Sequence, residues 1–297
     1  MGSFAKALGR ISRRSLETES ANILKTCKAN KVPGSLSLAL DGTLRSGHDM
    51  KTFGLGTMAA MAGVPRYARF THAMFHVYAA MEHELDSSTA AAPPTAAAKM
   101  WREHGAVLRR ADKLRADIDD VLPLLRGAKQ NDAAEGSTSL ARGCTSALVQ
   151  LGADAPPSPA TEAYVEAVAA AGAHDRESGG ARLLGHLYCR YFADLFGGQM
   201  LELPFNVALG LVPGTPRHYG FDFSGGGRRE FIEKLYADIN EAGALLSEAE
   251  CAAVVDEALL AFAHNAAVYA EEPMTVDAAR GVANLLVGGA RRVFTSA

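Results

Sequence analysis

The chain has 297 residues, of which 48% are hydrophobic and 21% are charged, and its formal net charge is −3. This composition is typical of a globular protein long enough to bury a sizeable core, and the slight negative charge gives no electrostatic basis for binding nucleic acid. The four cysteines form no CxxC pair, which argues against a zinc knuckle and favours free thiols in a reducing compartment. Residues 281–290, the most apolar stretch near the end of the chain, are only about half a membrane span. We therefore expect no transmembrane segment.

The first residues differ from the rest of the chain. Residues 1–16 are basic and contain no acid, and Phe4, Leu8 and Ile11 share one helical face. A basic, serine-containing start without acids is typical of an organelle transit peptide; a short basic helix is the alternative. We interpret residues 1–34 as a transit-peptide-like or flexible arm, residues 35–297 as one domain, and the location as a plastid or mitochondrion, in soluble or peripheral form.

Helical periodicity dominates the remaining sequence. Apolar residues recur at three- and four-residue spacing, which predicts helices at 36–48, 66–86, 99–122, 140–151, 161–171, 185–199, 228–246, 248–269 and 276–294. Pro123 is expected to end the third of these helices. No run of alternating β-branched residues indicates a strand. The sequence therefore predicts an all-α fold in a single multi-helix domain.

The most informative stretch is 185–199, which reads Gly-His-Leu-Tyr-Cys-Arg-Tyr-Phe-Ala-Asp-Leu-Phe-Gly-Gly-Gln. Arg190 and Asp194 are four residues apart and can form an ion pair on a helix. Each glycine of the Gly197-Gly198 pair costs a helix about 1 kcal/mol relative to alanine, so we expect a kink there. Backbone without a Cβ atom lets a flat ligand approach closely; a plain helix junction with a surface ion pair is the alternative.

This stretch resembles the distal helix of the haem oxygenases, whose signature is Tyr-x-Arg-Tyr-Leu-Gly-Asp-Leu-Ser-Gly-Gly-Gln. Upstream, residues 36–40 followed by His48 resemble the family's first helix, which ends near the proximal histidine, and residues 75–84 resemble its next characteristic helix. The similarity in order and spacing runs from about residue 35 to residue 272. It implies a haem pocket between a proximal helix and a kinked distal helix.

The resemblance also implies an activity. Haem, as both cofactor and substrate, would be cleaved with O₂ to biliverdin, CO and iron, with electrons from a donor such as ferredoxin or a reductase. His48 is then the ligand of the haem iron. Asp194 is the catalytic carboxylate that orders water and delivers protons on the oxygen side. The remaining cofactor-binding residues implied by the resemblance are Arg45, Tyr188, Arg190, Ala193, Gly197 and Gly198.

Five positions depart from the family pattern. Ala193 stands where the signature has glycine, and Phe196 stands where it has serine. Asp41, Glu233 and Ala237 stand where the resemblance expects basic residues that meet the haem propionates. These departures favour an alternative hypothesis, in which the chain is a catalytically degenerate subunit or assembly factor of a large organellar protein complex.

Other motifs point to different chemistry. His72, His76 and His83 can lie along one helix and form a metal stripe, although no fourth ligand is indicated and His76 matches a structural residue of the family. Residues 54–59 resemble a GxGxxA motif, but no strand precedes them, so dinucleotide binding is not expected. A di-iron bundle needs paired Glu-x-x-His motifs, which the sequence lacks.

Overall fold

The computed structural model describes residues 22–46, 50–128, 138–223 and 226–295. Within these residues it contains helices and turns but no strand, which confirms the all-α prediction. His48 and the basic segment at 1–16 lie outside the described residues. The helices are α1 Leu36–Ser46, α2 Met50–Ala60, α3 Val64–Ala90, α4 Ala96–Leu108, α5 Ala111–Ala128, α6 Ser139–Leu151, α7 Pro159–Ser178, α8 Leu183–Leu187, α9 Ala193–Phe196, α10 Glu202–Leu209, α11 Arg228–Gly243, α12 Glu248–Ala270 and α13 Thr275–Thr295.

Helix α3 is the centre of the domain. It packs against α4, α5 and α7, and Tyr67, Met74, Tyr78, Met81 and Leu85 on its length are all buried. These residues follow the three- and four-residue spacing that buries one face of a helix. The predicted helix at 66–86 is therefore confirmed, with a few more residues at each end.

The prediction of one continuous helix at 99–122 is wrong, because the structure has two helices, α4 and α5, that are separated by Arg109 and Arg110. The buried Arg110 guanidinium donates to the carbonyls of Leu108 at 2.8 Å and Gly220 at 2.7 Å. The Glu82 carboxylate accepts from the backbone N–H groups of Arg110 and Ala111, at 2.6 and 2.9 Å. The Glu82 carboxylate thus provides acceptors for N–H groups at the start of α5 that have no partner within the helix. The chain can therefore turn here although the spacing of apolar residues continues without interruption.

Pro123 does not end α5, which continues to Ala128. A proline inside a helix costs about 3 kcal/mol because it removes one backbone hydrogen bond. Ile118, Val121 and Leu125 flank Pro123 and are buried in the core, and this packing holds the helix together. The prediction also missed α2 and α10, whose short apolar sequences carry little periodicity.

Helix α12 bears on the expectation that the chain has no transmembrane segment. Among the described residues, it is the helix long and apolar enough to cross a membrane by length and composition. Its buried positions include Val254, Ala258 and Ala261, and it packs against α8. Glu257, on the same side, lies 2.9 Å from His186. One side of α12 therefore packs within the domain.

Candidate functional site

The stretch that carries the motif forms an interrupted helix, residues 183–196. Helix α8 runs into a π-helical turn at Tyr188–Phe192, and α9 follows it. The helix then ends at Phe196, with a 3-10 turn at Gly198–Met200. The break expected at the paired glycines is present, whereas the π turn before it was not predicted. Single π turns are frequent at functional sites because they change the direction of side chains within a helix.

A glycine fixes how close the interrupted helix lies to α12. A Cβ atom on Gly185 would lie 2.7 Å from both the backbone nitrogen of Ala258 and the carbonyl oxygen of Val254. Only glycine permits this approach. The next residue, His186, faces Glu257 of α12, with 2.9 Å between Nε2 and Oε1. The interrupted helix is therefore fixed in place by the backbone behind it.

Asp194 is buried and held by α3. The Tyr78 hydroxyl donates a hydrogen bond to Oδ2 of Asp194. Burial raises the pKa of Tyr78 well above its usual value, and the Asp194 charge raises it further, so this phenol stays protonated and remains a donor. The carboxylate, the expected catalytic group, is thus fixed by a side chain from another helix.

Arg190 has a separate partner. Its Nη1 donates to Oδ1 of Asn265 at 3.0 Å, and its guanidinium lies over the ring of Tyr78, 5.3 Å from the centroid. Burial by itself lowers the pKa of Arg190, but the neighbouring Tyr78 and Asp194 raise it well above its usual value, so the group is a cation. The π turn separates Arg190 from Asp194, and each side chain finds a partner on another helix in place of the ion pair considered from sequence.

The two glycines of the motif face different surroundings. Ala193 is exposed, and a Cβ atom on Gly197 would meet only the carbonyl oxygen of Ala193, at 3.2 Å. A Cβ atom on Gly198 would lie 2.8 Å from the ring of Tyr219 and 3.1 Å from Oδ1 of Asp194. Ala193 and Gly197 therefore form a smooth open surface, while Gly198 lets Tyr219 and Asp194 pack together behind it.

Asp41 of α1 contacts the interrupted helix at Tyr188, on the other side of the π turn from Ala193 and Gly197. Its Oδ1 accepts hydrogen bonds from the hydroxyls of Tyr188 at 2.5 Å and Tyr236 at 2.8 Å. Its Oδ2 accepts from Nδ2 of Asn30 at 2.7 Å. Burial, helped by the Asp41 charge, raises the pKa of both phenols far above their usual range. Phe192 packs against both phenols, with ring centroids 4.9 Å from Tyr188 and 4.8 Å from Tyr236.

Nearby basic residues have other partners. Arg228 donates through Nε to the carbonyl of Leu195 at 2.8 Å and caps the end of the interrupted helix. Arg229 contacts Thr26, and Lys234 pairs with Glu103. Each of these bases thus meets another group of the chain. The side chain of Arg45 and the whole of His48 lie outside the described residues, so their predicted roles remain predictions.

The two ends of the interrupted helix differ in how well their residues suit haem. The open surface of Ala193 and Gly197, backed by the buried Asp194, suits a flat ligand whose reacting centre needs protons. The Asp41 end does not suit a propionate, because two carboxylates repel and because Tyr188 and Tyr236 already donate to Asp41. The residues therefore fit the ring and the oxygen side, and they do not fit the usual anchoring of the propionates.

Sequence reasoning missed several residues of this site. Tyr78, Tyr236 and Asn265 lie in predicted helices, but the sequence assigned no role to them. Tyr219 lies outside every predicted helix. A polar atom on an otherwise buried helix face is the signal that marks Tyr78 and Asn265, because buried polar groups require partners.

Comparisons with known proteins agree with this architecture. Residues 149–271 match the family model described as Heme oxygenase. The structure of heme oxygenase 2 from Chlamydomonas reinhardtii, solved without heme, is similar with a TM-score of 0.59 and 22% identity, covering 81% of this chain and 98% of that one. Heme oxygenase-2 from Synechocystis sp. PCC 6803, in complex with heme and NO, gives 0.56 and 22%, covering 84% and 91%. The enzyme from Leptospira interrogans gives 0.51 and 20%, covering 78% and 99%.

No curated protein sequence matches the chain. The structural similarities show that this is a protein of the haem oxygenase fold. The match to the family model covers residues 149–271, which is less than half of the chain, and it contains the interrupted helix.

Proposed function

We propose that the chain is a haem oxygenase that binds haem between α1 and the interrupted helix. It would cleave the ring to biliverdin, CO and iron with O₂ and an external electron donor such as ferredoxin or a reductase. The observation that carries this proposal is the buried Asp194, held by Tyr78 beside the open surface of Ala193 and Gly197. A buried carboxylate needs a partner, and here the partner leaves one carboxylate oxygen of Asp194 without a bond from Tyr78.

The proposal assigns distinct tasks to the residues of the chain. Haem, when bound, supplies the redox chemistry, and the protein supplies orientation and protons. Asp194 is held through Oδ2 by Tyr78, which leaves Oδ1, on the Gly198 side, to accept a hydrogen bond from water. The Arg190 cation, fixed by Asn265, stabilises the negative charge of this carboxylate. Ala193 and Gly197 have no large side chain, so a flat ring can approach the helix closely.

His48 is the proposed axial ligand. Hemin added to the purified protein should give a sharp Soret band with the signature of one histidine ligand, and His48→Ala should abolish that signature. A His83→Ala variant, on another helix, is the matched control. Biliverdin formation with ascorbate or a ferredoxin system then tests turnover. If the His48→Ala protein keeps the wild-type spectrum, the ligand assignment is wrong.

A second candidate function is supported by the Asp41 cluster. Because Asp41 holds Tyr188 and Tyr236 at the end where an anionic group of haem would lie, the fold can serve as a scaffold without turnover. The chain would then be a subunit or assembly factor of an organellar complex. A protein that binds no hemin, or binds it and makes no biliverdin with any donor, is the outcome that favours this candidate.

The proposed location is a plastid or mitochondrion, in agreement with the basic, acid-free composition of residues 1–16. Either organelle supplies a low-potential electron donor for the first candidate and large membrane complexes for the second. Import assays that use residues 1–34 separate this location from the cytosol.

A further inference from the structure

The outward face of α13 is apolar and uncovered. Leu286 and Phe294 are 70% and 71% exposed, and Val276, Val282, Val287 and Val293 are also exposed. With the exposed Ala279, Ala283 and Ala290, these residues recur at three- and four-residue spacing along the whole helix. Scattered single apolar residues on a surface need no explanation, but a continuous stripe of this kind marks an interaction surface.

The inner face of the same helix explains why the larger residues point outward. A Cβ atom on Gly281 would overlap the carbonyl oxygen of Met58 in α2, and a Cβ atom on Gly288 would overlap that of Val207 in α10. These glycines let α13 lie directly against the backbone of both helices. The helix is therefore held as a fixed ridge whose bulkier apolar residues remain in solvent.

The charges beside this stripe are positive. Arg280 and Arg291 are exposed and lie eleven residues apart, which places them on the same flank of the helix. The nearest acid on α13, Asp277, is half-buried and shared between Arg66 and Arg280. No acidic residue lies on the outward face of the described part of α13. The stripe is thus bordered by cations and suits a negatively charged partner.

We propose that the outward face of α13 docks on an anionic lipid surface, with Leu286 and Phe294 entering the boundary between headgroups and acyl chains. An apolar helix face bordered by arginines is the arrangement that binds such surfaces. The face contains valine, alanine, leucine and one phenylalanine and has no tyrosine, tryptophan or methionine. Phenylalanine and arginine occur in protein interfaces as well as on membrane-binding helices, so the choice of a lipid rests on the apolar face being bordered by cations. The same face on a second copy of the chain would present the same arginines and no outward carboxylate within the described part of α13, so like charges would meet.

Vesicle flotation of the full-length protein tests the proposal. Vesicles of phosphatidylcholine with about one third phosphatidylglycerol should carry the protein, and vesicles of phosphatidylcholine alone should carry much less. The double variant Leu286→Ser/Phe294→Ser should lower partitioning roughly ten-fold or more, because both side chains lose their apolar contact with the bilayer. Leu245→Ser, at an 80% exposed position outside α13, is the matched control and should float like the wild type.

The arginines are tested separately. Arg280→Gln with Arg291→Gln should weaken binding to the anionic vesicles by about five-fold for each residue and leave the weak binding to neutral vesicles unchanged. Size-exclusion chromatography with light scattering checks the alternatives in parallel. If the protein is a dimer and Phe294→Ser dissociates it, the face binds a second copy of the chain and the proposal is overturned. A monomer that floats with neither type of vesicle also overturns it and leaves a protein partner as the occupant.

Discussion

The Asp41 cluster predicts opposite effects of one substitution on stability and on haem binding. In Asp41→Asn, the amide oxygen can still accept the bonds from Tyr188 and Tyr236, but each loses the assistance of a charge. The Asn30 amide meets a donor in place of an acceptor, and it can flip because its own Oδ1 has no hydrogen-bond partner. Hydrogen bonds to charged groups contribute about 1.5–3 kcal/mol and neutral ones about 0.5–1.5 kcal/mol, so we expect a loss of about 1–3 kcal/mol in the free energy of unfolding.

Hemin binding should change in the other direction. Two unit charges about 6 Å apart at an effective dielectric constant of about 20 repel by roughly 3 kcal/mol, and water in an open cleft reduces this value. Removing the Asp41 charge should therefore raise hemin affinity by about ten-fold. Urea unfolding followed by circular dichroism measures the first quantity and Soret titration the second, with the exposed Asp256→Asn as control. Unchanged or weaker hemin binding in Asp41→Asn would refute the role given to Asp41.

The other predictions concern turnover, pH and targeting. Asp194→Asn should lower biliverdin formation by about 10²–10⁴-fold at unchanged hemin affinity, because it removes proton delivery and not iron ligation; equal loss of both contradicts this. Ala193→Gly should raise turnover if the methyl group crowds the oxygen side, and hemin binding without biliverdin in both this variant and the wild type favours the scaffold. Burial, reinforced by the nearby His76, lowers the pKa of His72 to about 4, so the unfolded chain takes up a proton first and stability should fall by about 2–3 kcal/mol as pH drops from 6.5 to 4. Urea unfolding of His72→Gln should show a smaller dependence over that range. A reporter fused to residues 1–34 should enter an organelle, and a cytosolic reporter would defeat the targeting hypothesis.

Local patterns in the sequence were sufficient for most of the fold. The apolar period placed α3, α11 and α12 and the helical class, because burial on one side of a helix leaves a direct trace in the sequence. The junction at Arg110 left no such trace, since it depends on carbonyls from residues more than a hundred positions away. The prediction that Pro123 ends its helix was wrong for the same reason, because tertiary packing overrides a local preference.

The same distinction between local and tertiary features applies to the candidate site. The glycine pair and the spacing of Arg190 and Asp194 identified the interrupted helix from sequence, because those features belong to one segment. The partners of these residues do not. Tyr78 and Asn265 come from other helices, and the π turn that contains Arg190 has no local signal in the sequence. Asp41 was recognised as an unusual acid, but its bonds to Tyr188 and Tyr236 required the three-dimensional arrangement.

The stretch that matches the family model begins at residue 149, whereas two groups that contact its signature residues come from before it. Tyr78 holds Asp194, and Asp41 holds Tyr188. Substitutions in the first half of the chain can therefore change the hydrogen bonds to Asp194 and Tyr188 while the recognisable motif stays intact. Two relatives with the same signature can differ in whether they turn over haem, and the decisive changes would be found in helices that a search for the motif never inspects.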